Sequence, residues 1–293
     1  VMSLIVNRAR HGTNGKVSNL INMFAVARHD VIVIADSDVH AAPDYLERLV
    51  AALEQPGVGL VTTLYAGLPA TRTWPAQLGT MQITYGFLPS AVLARALGRR
   101  DCLGATMCLR RTDLQRIGGL AALANHLADD QVLGRRIVAL GMDVALAQTV
   151  VLTTVPESRL RDLFMHELRW ARTIRTLEPV GFAASVLQYP LAWSLLAVIL
   201  SGVAPWSLGM FAMAWLLRAV AAIAVDQALS GRETLAFSCP VWLLPLRDVL
   251  SVIVMMASYG GRRVMWRGHG LEADTPGRFA ASAPYPFEES NAR

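Results

Sequence analysis

The sequence predicts an α/β domain followed by a membrane region, and three observations carry this prediction. Residues 31–38 read Val-Ile-Val-Ile-Ala-Asp-Ser-Asp, a short β-branched apolar run typical of a parallel strand buried on both faces. The residues that follow have the helix-then-strand order of a parallel crossover unit. Residues 179–217 contain no charged residue, a length sufficient for two membrane crossings of about 20 residues each.

The composition supports a protein that is partly embedded in lipid. Of 293 residues, 54% are hydrophobic and 17% charged, and the mean hydropathy is +0.39, which is too apolar for an ordinary soluble protein of this size. The net charge of +5 comes almost wholly from arginine, since Lys16 is the sole lysine. An arginine-rich composition suits binding to phosphate or to an anionic membrane surface. The sequence has no basic run interleaved with aromatic residues, the pattern that would indicate nucleic-acid binding. The three cysteines have no metal-binding spacing and indicate free thiols in a reducing compartment.

Hydrophobic periodicity and turn residues divide the first 178 residues into strands and helices. The expected strands are residues 4–6, 31–38, 58–64, 103–111 and a last strand or hairpin formed by 144–147 and 150–152. The expected helices are residues 16–27, 41–53, 77–97 as one long helix or a pair, 132–140 and 159–178.

Two carboxylates, Asp36 and Asp38, stand at the carboxyl end of the strand at residues 31–38. Ligands in open α/β sheets bind just beyond such ends. Carboxylate oxygens suit magnesium or manganese, which can bridge to a diphosphate. The pattern therefore indicates a metal and nucleotide site, and an acidic turn or helix N-cap is the simpler alternative.

Three further positions are candidates for ligand binding. A lysine at a helix start opposes the helix dipole, so Lys16 favours a role in holding an anion, with a solvated surface lysine as the alternative. Gly104 allows the backbone to approach a ligand closely, or it marks a bulge at a strand edge. Asp129 can cap the helix at 132–140, but capping by Asp129 leaves the adjacent Asp130 unexplained.

The second half of the chain predicts a membrane surface helix and three spans. Residues 159–178 form a basic amphipathic helix of the kind that lies on a membrane. The spans are expected at about residues 182–201, 206–226 and 241–260. The third contains Arg247 and Asp248, which we expect to face other helices or a polar cavity, unless this segment is partly interfacial.

The charges around these spans bear on topology. Candidate partners for the pair in the third span are Asp226 and Arg218. The arginines before the first span favour a cytoplasmic location for the preceding domain. Three crossings would then put the C-terminus outside, where the arginines that follow the third span fit poorly, so the topology after Arg232 stays open. These arginines are Arg262, Arg263 and Arg267.

An ordered set of short motifs resembles one enzyme family. The set comprises Asp36-Ser37-Asp38, Gly118-Gly119-Leu120, Ala128-Asp129-Asp130 and His166-Glu167-Leu168-Arg169-Trp170. It resembles the inverting, membrane-bound glycosyltransferases of family two type. It looks closest to ceramide glucosyltransferases and the related bacterial hopanoid-biosynthesis glycosyltransferases, and the resemblance covers essentially the whole chain.

This resemblance implies a domain organisation. Residues 1–158 would be a GT-A type nucleotide-diphospho-sugar transferase domain, residues 159–178 the interfacial helix, residues 179–263 the membrane region and residues 264–293 a tail. The family has about two further strands upstream, with its first acidic position and the uracil pocket, and a leading membrane anchor. We therefore expect an N-terminally truncated catalytic domain.

The resemblance also implies roles for individual residues. Asp36 and Asp38 would hold a divalent metal and, with Lys16, the uridine diphosphate. Asp130 would be the general base, and Gly104 and Asp129 would lie at the nucleotide sugar. Arg169 and Trp170 would close over donor and acceptor. His166 stands where the family usually has glutamine or arginine, and an imidazole can still donate to phosphate, with a charge that depends on pH.

The function implied is transfer of N-acetylglucosamine or glucose from a UDP-sugar to a membrane lipid hydroxyl. The expected place is the cytoplasmic face of a bacterial inner membrane. The expected acceptor is a hopanoid polyol, with ceramide or diacylglycerol as runner-up. The alternatives are a processive polysaccharide synthase, which normally has more spans and glutamine in place of His166, and a non-catalytic membrane protein that binds nucleotide sugar. The sequence leaves the oligomeric state open.

Overall fold

The computed structural model describes residues 3–230 and 237–261 together with the backbone of 263–266, 269–274 and 278–281. The strands are β1 Val31–Ala35, β2 Val39–His40, β3 Val58–Pro69, β4 Thr106–Arg110, β5 Asp143–Val155, β6 Arg263–Trp266, β7 His269–Asp274 and β8 Arg278–Ala281. The helices of the catalytic half are α1 Gly15–Phe24, α2 Tyr45–Leu53, α3 Trp74–Met81, a π helix Gln82–Phe87, α4 Leu88–Ala96, α5 Arg111–Arg116 and α6 Asp129–Ala139. They are followed by α7 Leu160–Leu177, α8 Pro179–Ala184, α9 Pro190–Leu200, α10 Pro205–Ser230 and α11 Leu244–Ser258, with short 3₁₀ turns at Leu120–Leu123, Ser185–Gln188 and Val241–Leu243.

The central sheet is mixed, with the strand order β1-β4-β3-β5-β2. Strands β3 and β5 are parallel, whereas β4 is antiparallel to both β1 and β3. The prediction of a parallel sheet is therefore wrong for β4. Strands β1 and β3 do run in the same direction, as the crossover pattern predicted, but β4 lies between them. An apolar run has the same pattern in either direction, so the periodicity of the sequence could not show that β4 is antiparallel to its neighbours.

Strand β1 is less covered than its sequence suggests. In the described sheet it pairs with β4 alone, and of its five residues only Ile34 is fully buried. The prediction of a strand buried on both faces is wrong for this reason. Its carboxyl end still lies at the same end of the sheet as those of β3 and β5, because the three strands are co-directional.

Two other predicted elements differ from the structure. Residues 4–6 form no strand. Helix α6 begins at Asp129 rather than at residue 132, and its N-cap is Ala128, so Asp129 is a first-turn residue and not the cap. Of the two alternatives for residues 144–152, the single strand is confirmed: they belong to β5, whose irregular register opposite Thr62 and Leu64 interrupts the apolar alternation.

The helix at 159–178 and the membrane region share a core with the catalytic half. This core joins α3 and the π helix to α7 and to α11, and it includes Leu78, Met81, Tyr85, Leu163, Leu168, Leu250 and Val254. Two smaller cores cover the faces of the sheet. One contains Leu60, Leu109, Leu133 and Ile137, and the other contains Leu49, Leu53, Val61 and Val151. Because α7 and α11 pack in one core, the position of α7 depends on the membrane region.

Two helical segments are long and apolar enough to cross a membrane by length and composition, Pro205–Ser230 and Val241–Ser258. Of the most apolar 18 residues of each segment, 6% are buried inside the protein in the first and half in the second. The span predicted at 182–201 is a pair of helices, Pro179–Gln188 and Pro190–Leu200, bent by 62° at Tyr189. A proline at the first position of the second helix accounts for this break, because it cannot continue the preceding hydrogen bonds.

The charges in the third predicted span face other helices, as expected. Asp248 pairs with Arg218 at 3.0 Å, one of the two partners named from the sequence. Arg247 pairs with Glu167 of α7 instead of Asp226. The tail predicted at 264–293 contains β7 and β8, and its residues 282–293 lie outside the described residues, as do Arg262 and Arg267.

Candidate active site

Lys16 is the centre of a charged cluster at the carboxyl end of β1. Its Nζ lies 2.7 Å from Oδ1 of Asp36 and 3.9 Å from Oδ2 of Asp129, and it donates to the carbonyl oxygen of Gly104 at 3.4 Å. We call Lys16, Asp36, Asp129 and Asp130 the aspartate–lysine cluster. Its lysine is 23% exposed, so the interpretation as a solvated surface residue is wrong.

Asn14 holds the start of α1 against the start of α6. Its Oδ1 accepts from the amide of Val17 at 3.1 Å, which caps α1. Its Nδ2 donates to the carbonyl of His126 at 2.7 Å and to Oδ1 of Asp129 at 3.3 Å. The sequence analysis missed this residue, although an asparagine directly before a helix start is a common N-cap signal.

Burial and charge oppose each other within the cluster. Burial alone would lower the pKa of Lys16, but the carboxylates of Asp129 and Asp36 outweigh it and raise that pKa. Burial raises the pKa of Asp129, against the opposing effects of Lys16 and Asn14. Lys16 is therefore a firmly protonated cation among carboxylates.

Asp130 is the carboxyl group whose pKa is most useful for catalysis. Its burial, and after that the charge of Asp129, raise the pKa of Asp130 to about 7. Its Oδ1 accepts from the amide of Gln131 at 2.8 Å. A Cβ atom at Gly104 would lie 2.8 Å from Oδ2 of Asp130, so only glycine leaves this carboxylate in place. Because Gly104 has no side chain, the Asp130 carboxylate can approach the backbone there closely. A carboxyl group that titrates near neutrality can accept a proton from a substrate.

Asp38 lies further along the same edge. Its carbonyl accepts from the amide of Thr154 at 3.0 Å, and its Oδ2 accepts from Oγ1 of Thr153 at 3.1 Å. These bonds attach Asp38 to the last residues of β5, whereas the amide of Asp36 donates to Ala105 at 3.2 Å, beside β4. Within the described ranges, no three or more His, Cys, Asp or Glu side chains converge as ready-made metal ligands.

A second cluster follows β5 and continues on α7. Nδ1 of His166 is bonded to Oε1 of Glu157, and the rings of His166 and Trp170 meet edge to face with centroids 4.7 Å apart. Glu157, His166, Arg169 and Trp170 form the α7 cluster. The sequence analysis missed Glu157, because a single glutamate after a strand has no distinguishing pattern.

Arg169 is the cation of this cluster. Its guanidinium makes no hydrogen bond or ion pair with another side chain in the part of the chain that the structure describes. Burial lowers its pKa, and the charge of Glu157 partly opposes this. Burial would raise the pKa of Glu157, but its bond to His166 lowers it overall. Since an arginine stays protonated under all ordinary conditions, Arg169 is a half-buried cation available to an anion.

The two clusters lie at the same end of the sheet. Asp36 follows β1 and Glu157 follows β5, two strands that run in the same direction. Within the described residues, no hydrogen bond or ion pair joins the two clusters, so the structure assembles each separately. Tyr65 of β3 is associated with the first, because burial and then the charges of Asp130, Asp36 and Asp38 raise its pKa. Its ring stacks on Phe87 with centroids 4.5 Å apart, and the sequence analysis missed it.

The arrangement combines a carboxyl group of near-neutral pKa with lysine and arginine side chains at the end of a mixed sheet. The family model for glycosyl transferase family 21 matches residues 1–279. The chain belongs to glycosyl transferase family 21. The match runs from before α1 into β8, so it covers both clusters and all the helices that could enter a membrane.

Membership of family 21, which is ceramide glucosyltransferase-like, confirms the broader part of the resemblance inferred from the motifs. The family 21 chain is a glycosyltransferase with a mixed α/β sheet and two helices apolar enough to span a membrane. A glycosyltransferase implies a nucleotide-sugar donor and an acceptor. The two clusters of this family 21 protein are the candidates for binding them.

Proposed function

We propose that this family 21 glycosyltransferase moves N-acetylglucosamine or glucose, with inversion, from a UDP-sugar to a hydroxyl group of a membrane lipid. One observation carries the proposal. Asp130, a carboxyl group with a pKa raised to about 7, lies in one cluster with the Lys16–Asp36 ion pair. A base and a cation for the leaving group are the two requirements of sugar transfer by direct displacement.

Asp130 is the general base of the proposed reaction. Its carboxylate accepts the proton of the acceptor hydroxyl while the hydroxyl oxygen attacks the anomeric carbon from the face opposite the diphosphate. The new glycosidic bond forms as the bond to the diphosphate oxygen breaks, and that oxygen leaves with the bonding electrons as UDP. One displacement inverts the anomeric configuration. Gly104 supports this role because it leaves room for the Asp130 carboxylate.

Cations offset the charge that grows on the leaving diphosphate. Lys16 supplies one from the aspartate–lysine cluster, where Asp129 and Asn14 hold its surroundings. Arg169 supplies another from α7, and its lack of a partner among the described side chains supports this assignment. His166 can donate to a phosphate oxygen, and Trp170, in contact with the His166 ring, covers the sugar.

Asp36 and Asp38 are the proposed ligands of a divalent cation, magnesium or manganese. Magnesium in such sites commonly takes one or two carboxylates, with substrate phosphates and water as the remaining ligands. Two partly exposed aspartates, on which no third His, Cys, Asp or Glu converges in the described ranges, fit this pattern. When bound, the ion would neutralise charge on the diphosphate.

A lipid acceptor is proposed because of the surface of α10. Large apolar side chains project from one face of it, among them Trp206, Met213, Leu216, Leu217 and Val220, each more than half exposed. Such a surface belongs in lipid. Within this class we propose a hopanoid polyol in a bacterial inner membrane, by the resemblance of the motif order, and ceramide and diacylglycerol are the alternative acceptors to test.

We propose that the bent pair Pro179–Gln188 and Pro190–Leu200 crosses the membrane together with α10, and that α11 stays on the catalytic side. Helix α10 has 26 residues and is about 39 Å long, enough to cross the hydrocarbon core. Helix α11 contacts α7 along its length, since Arg247 near its start bonds Glu167 and the carbonyl of Gly261 beyond its end accepts from Arg175 at 2.9 Å. This arrangement keeps the residues after α11 on the side of the arginine-rich α7, which is the cytoplasmic side by its charge.

Product analysis tests the proposal. Membranes containing the full chain are incubated with radiolabelled UDP-glucose or UDP-N-acetylglucosamine and with a hopanoid polyol, ceramide or diacylglycerol, and the lipids are separated and identified by mass spectrometry. We expect a labelled glycolipid from one donor, formed only with added magnesium or manganese. Labelled long-chain polysaccharide, or no labelled lipid from any combination, would contradict the proposal.

Asp130→Asn is the decisive variant, with Asp143→Asn as its control. Asp143 begins β5 at the opposite end of that strand from Glu157 and pairs with Arg100 at 2.9 Å. We expect Asp130→Asn to bind UDP but to lose at least 100-fold in transfer, since a positioned base typically contributes that much. We expect Asp143→Asn to retain transfer. Full activity of Asp130→Asn would remove Asp130 from the base role.

A further inference from the structure

A buried ion pair joins α7 to a helix of the membrane region. Nη1 of Arg247 on α11 lies 2.7 Å from Oε1 of Glu167, and Nη2 lies 2.8 Å from Oε2. Arg247 is 2% exposed and Glu167 is 8% exposed. A two-pronged pair of this kind restricts both the distance between two helices and their relative rotation.

The other contacts of Arg247 fix its own position. Nη1 also donates to the carbonyl of Leu78 in α3 at 3.1 Å. Nε and Nη2 donate to Oγ of Ser251 at 3.2 and 3.0 Å, and that hydroxyl donates to Oε1 of Gln82 in the π helix at 3.1 Å. Arg247 therefore lies where α3, the π helix, α7 and α11 meet, and Glu167 is fixed relative to all of them.

Glu167 belongs to the face of α7 that is anchored inside the protein. Leu163, Glu167 and Ala171 are buried at intervals of four residues, which is one side of a helix. His166 and Trp170, also four residues apart, are half-buried on the adjoining face, with Arg169 beside them. A rotation of α7 that broke the bond to Arg247 would carry all three of these side chains away from their present positions.

A contribution to stability alone would not explain why a buried ion pair, rather than an apolar contact, joins these two helices. Removing two charges from water costs several kcal/mol each, so apolar residues of similar volume often hold two helices as well or better. An apolar contact does not fix rotation as a bidentate ion pair does. The neighbouring pair of Asp248 and Arg218 provides a comparison, because it joins α11 to α10 and, through the amide of Leu191, to α9. Among the described residues it makes no hydrogen bond or ion pair with α7.

We infer that Arg247 is a positioning residue for sugar transfer, which acts through Glu167 to hold His166, Arg169 and Trp170 in place for the donor diphosphate. The inference rests on the proposed function for its kinetic consequence. Its structural consequence, the restraint of α7, can be measured without substrate.

The test is the double variant E167M/R247M of the full chain, in which both charges are removed together. We expect a folded protein whose amide hydrogens in residues 160–177 exchange at least tenfold faster than in the wild type. We expect kcat/KM for the UDP-sugar to fall at least tenfold, with the KM for the acceptor lipid unchanged. The matched control R218M/D248N removes the neighbouring pair and should leave α7 exchange and donor kcat/KM within twofold of the wild type.

Arg247→Lys is the second variant, because it keeps the buried charge but cannot form the two-pronged bond. We expect it to fold and to show a smaller loss in donor kcat/KM, again without a change in acceptor KM. Unchanged α7 exchange and donor kcat/KM in the folded double variant and in Arg247→Lys would overturn the inference, as would equal losses in the control. A wild type that transfers no sugar to lipid would refute the proposed function, while the exchange data would still decide whether Arg247 restrains α7.

Discussion

Nζ of Lys16 lies 2.7 Å from Oδ1 of Asp36, although the lysine lies in the first turn of α1 and the aspartate follows β1. The same ammonium group lies 3.9 Å from Oδ2 of Asp129 at the start of α6. One cation thus links three elements around Asp130. The cluster is acidic overall, and its members shift the pKa values of one another.

Lys16→Met should lower donor kcat/KM about tenfold or more, equivalent to ~1.4 kcal/mol or more of lost stabilisation. The variant removes a cation from the leaving group and from the carboxylates of Asp129 and Asp130. Lys16→Arg keeps the charge and serves as the control, with a smaller loss expected. Initial rates at varied UDP-sugar concentration measure the effect, and equal kinetics for Lys16→Met and the wild type would exclude a role for this lysine.

The rate of transfer should rise with pH through about 7 and then level off. Asp130, whose pKa is raised to about 7, acts as a base only when ionised. A profile of kcat/KM between pH 5.5 and 8.5, ~3 units wide around this pKa, measures the effect. In Lys16→Met the midpoint should move upwards, because the charge of Lys16 lowers the pKa of Asp130. A flat profile in the wild type would argue against Asp130 as the titrating base.

Asp130→Asn should be more stable than the wild type at alkaline pH. The folded protein raises the pKa of Asp130 above the unfolded value of about 3.9, so folding favours the protonated form and stability falls as pH rises from about 4 to about 7. Above that range the ionised Asp130 carboxylate lowers the free energy of unfolding by ~1–2 kcal/mol, after allowance for its partial exposure. Thermal unfolding at pH 5 and pH 8 should show a larger gain at pH 8.

Gly104→Ala should reduce transfer at least tenfold while the protein stays folded. The added Cβ would lie 2.8 Å from Oδ2 of Asp130, so the carboxylate must move. A displacement of about 1 Å at a reacting group can cost two orders of magnitude in rate. Gly181→Ala is the matched control, since no atom lies within 4 Å of its added Cβ. Equal losses in the two variants would show that the effect is not local to Asp130.

Cysteine labelling tests the membrane arrangement. We expect a membrane-impermeant maleimide added to intact cells to label Val203→Cys, between α9 and α10, but not Gly260→Cys, after α11. The reason is that α11 stays beside α7, where Arg175 contacts the residues after α11. The unaltered chain is the control for its three cysteines. External labelling of Gly260→Cys would instead support three crossings.

Prediction from the sequence succeeded where local pattern sufficed. The strand before Asp36, the helix that begins near Lys16 and the amphipathic helix at 159–178 lie close to their predicted positions, because their apolar spacing and turn residues are local signals. The antiparallel direction of β4 and the bend at Tyr189 were not predicted, and the choice between a strand and a hairpin at 144–152 stayed open. Each depends on pairing or packing with residues far away in the chain.

The residues of the candidate site also divide into those that the sequence named and those that only the structure revealed. Lys16, Asp36, Asp130 and Arg169 were named from the sequence because the order of short motifs resembles one family, and the family is confirmed. Asn14, Tyr65 and Glu157 were not named as site residues, because isolated polar residues have no sequence pattern of their own. Their importance lies in long-range contacts, such as the bond from Asn14 to Asp129, 115 residues later.

The sequence by itself determined that this protein has an α/β domain, an apolar region long enough to enter a membrane and the acidic motifs of its family, since composition and local spacing record these properties. Only the tertiary structure decided that Lys16 bonds Asp36, that Gly104 admits the Asp130 carboxylate and that Arg247 bonds Glu167. These relationships require folding, because burial and contacts between distant residues set the pKa values, the close approach of atoms and the choice of ion-pair partner.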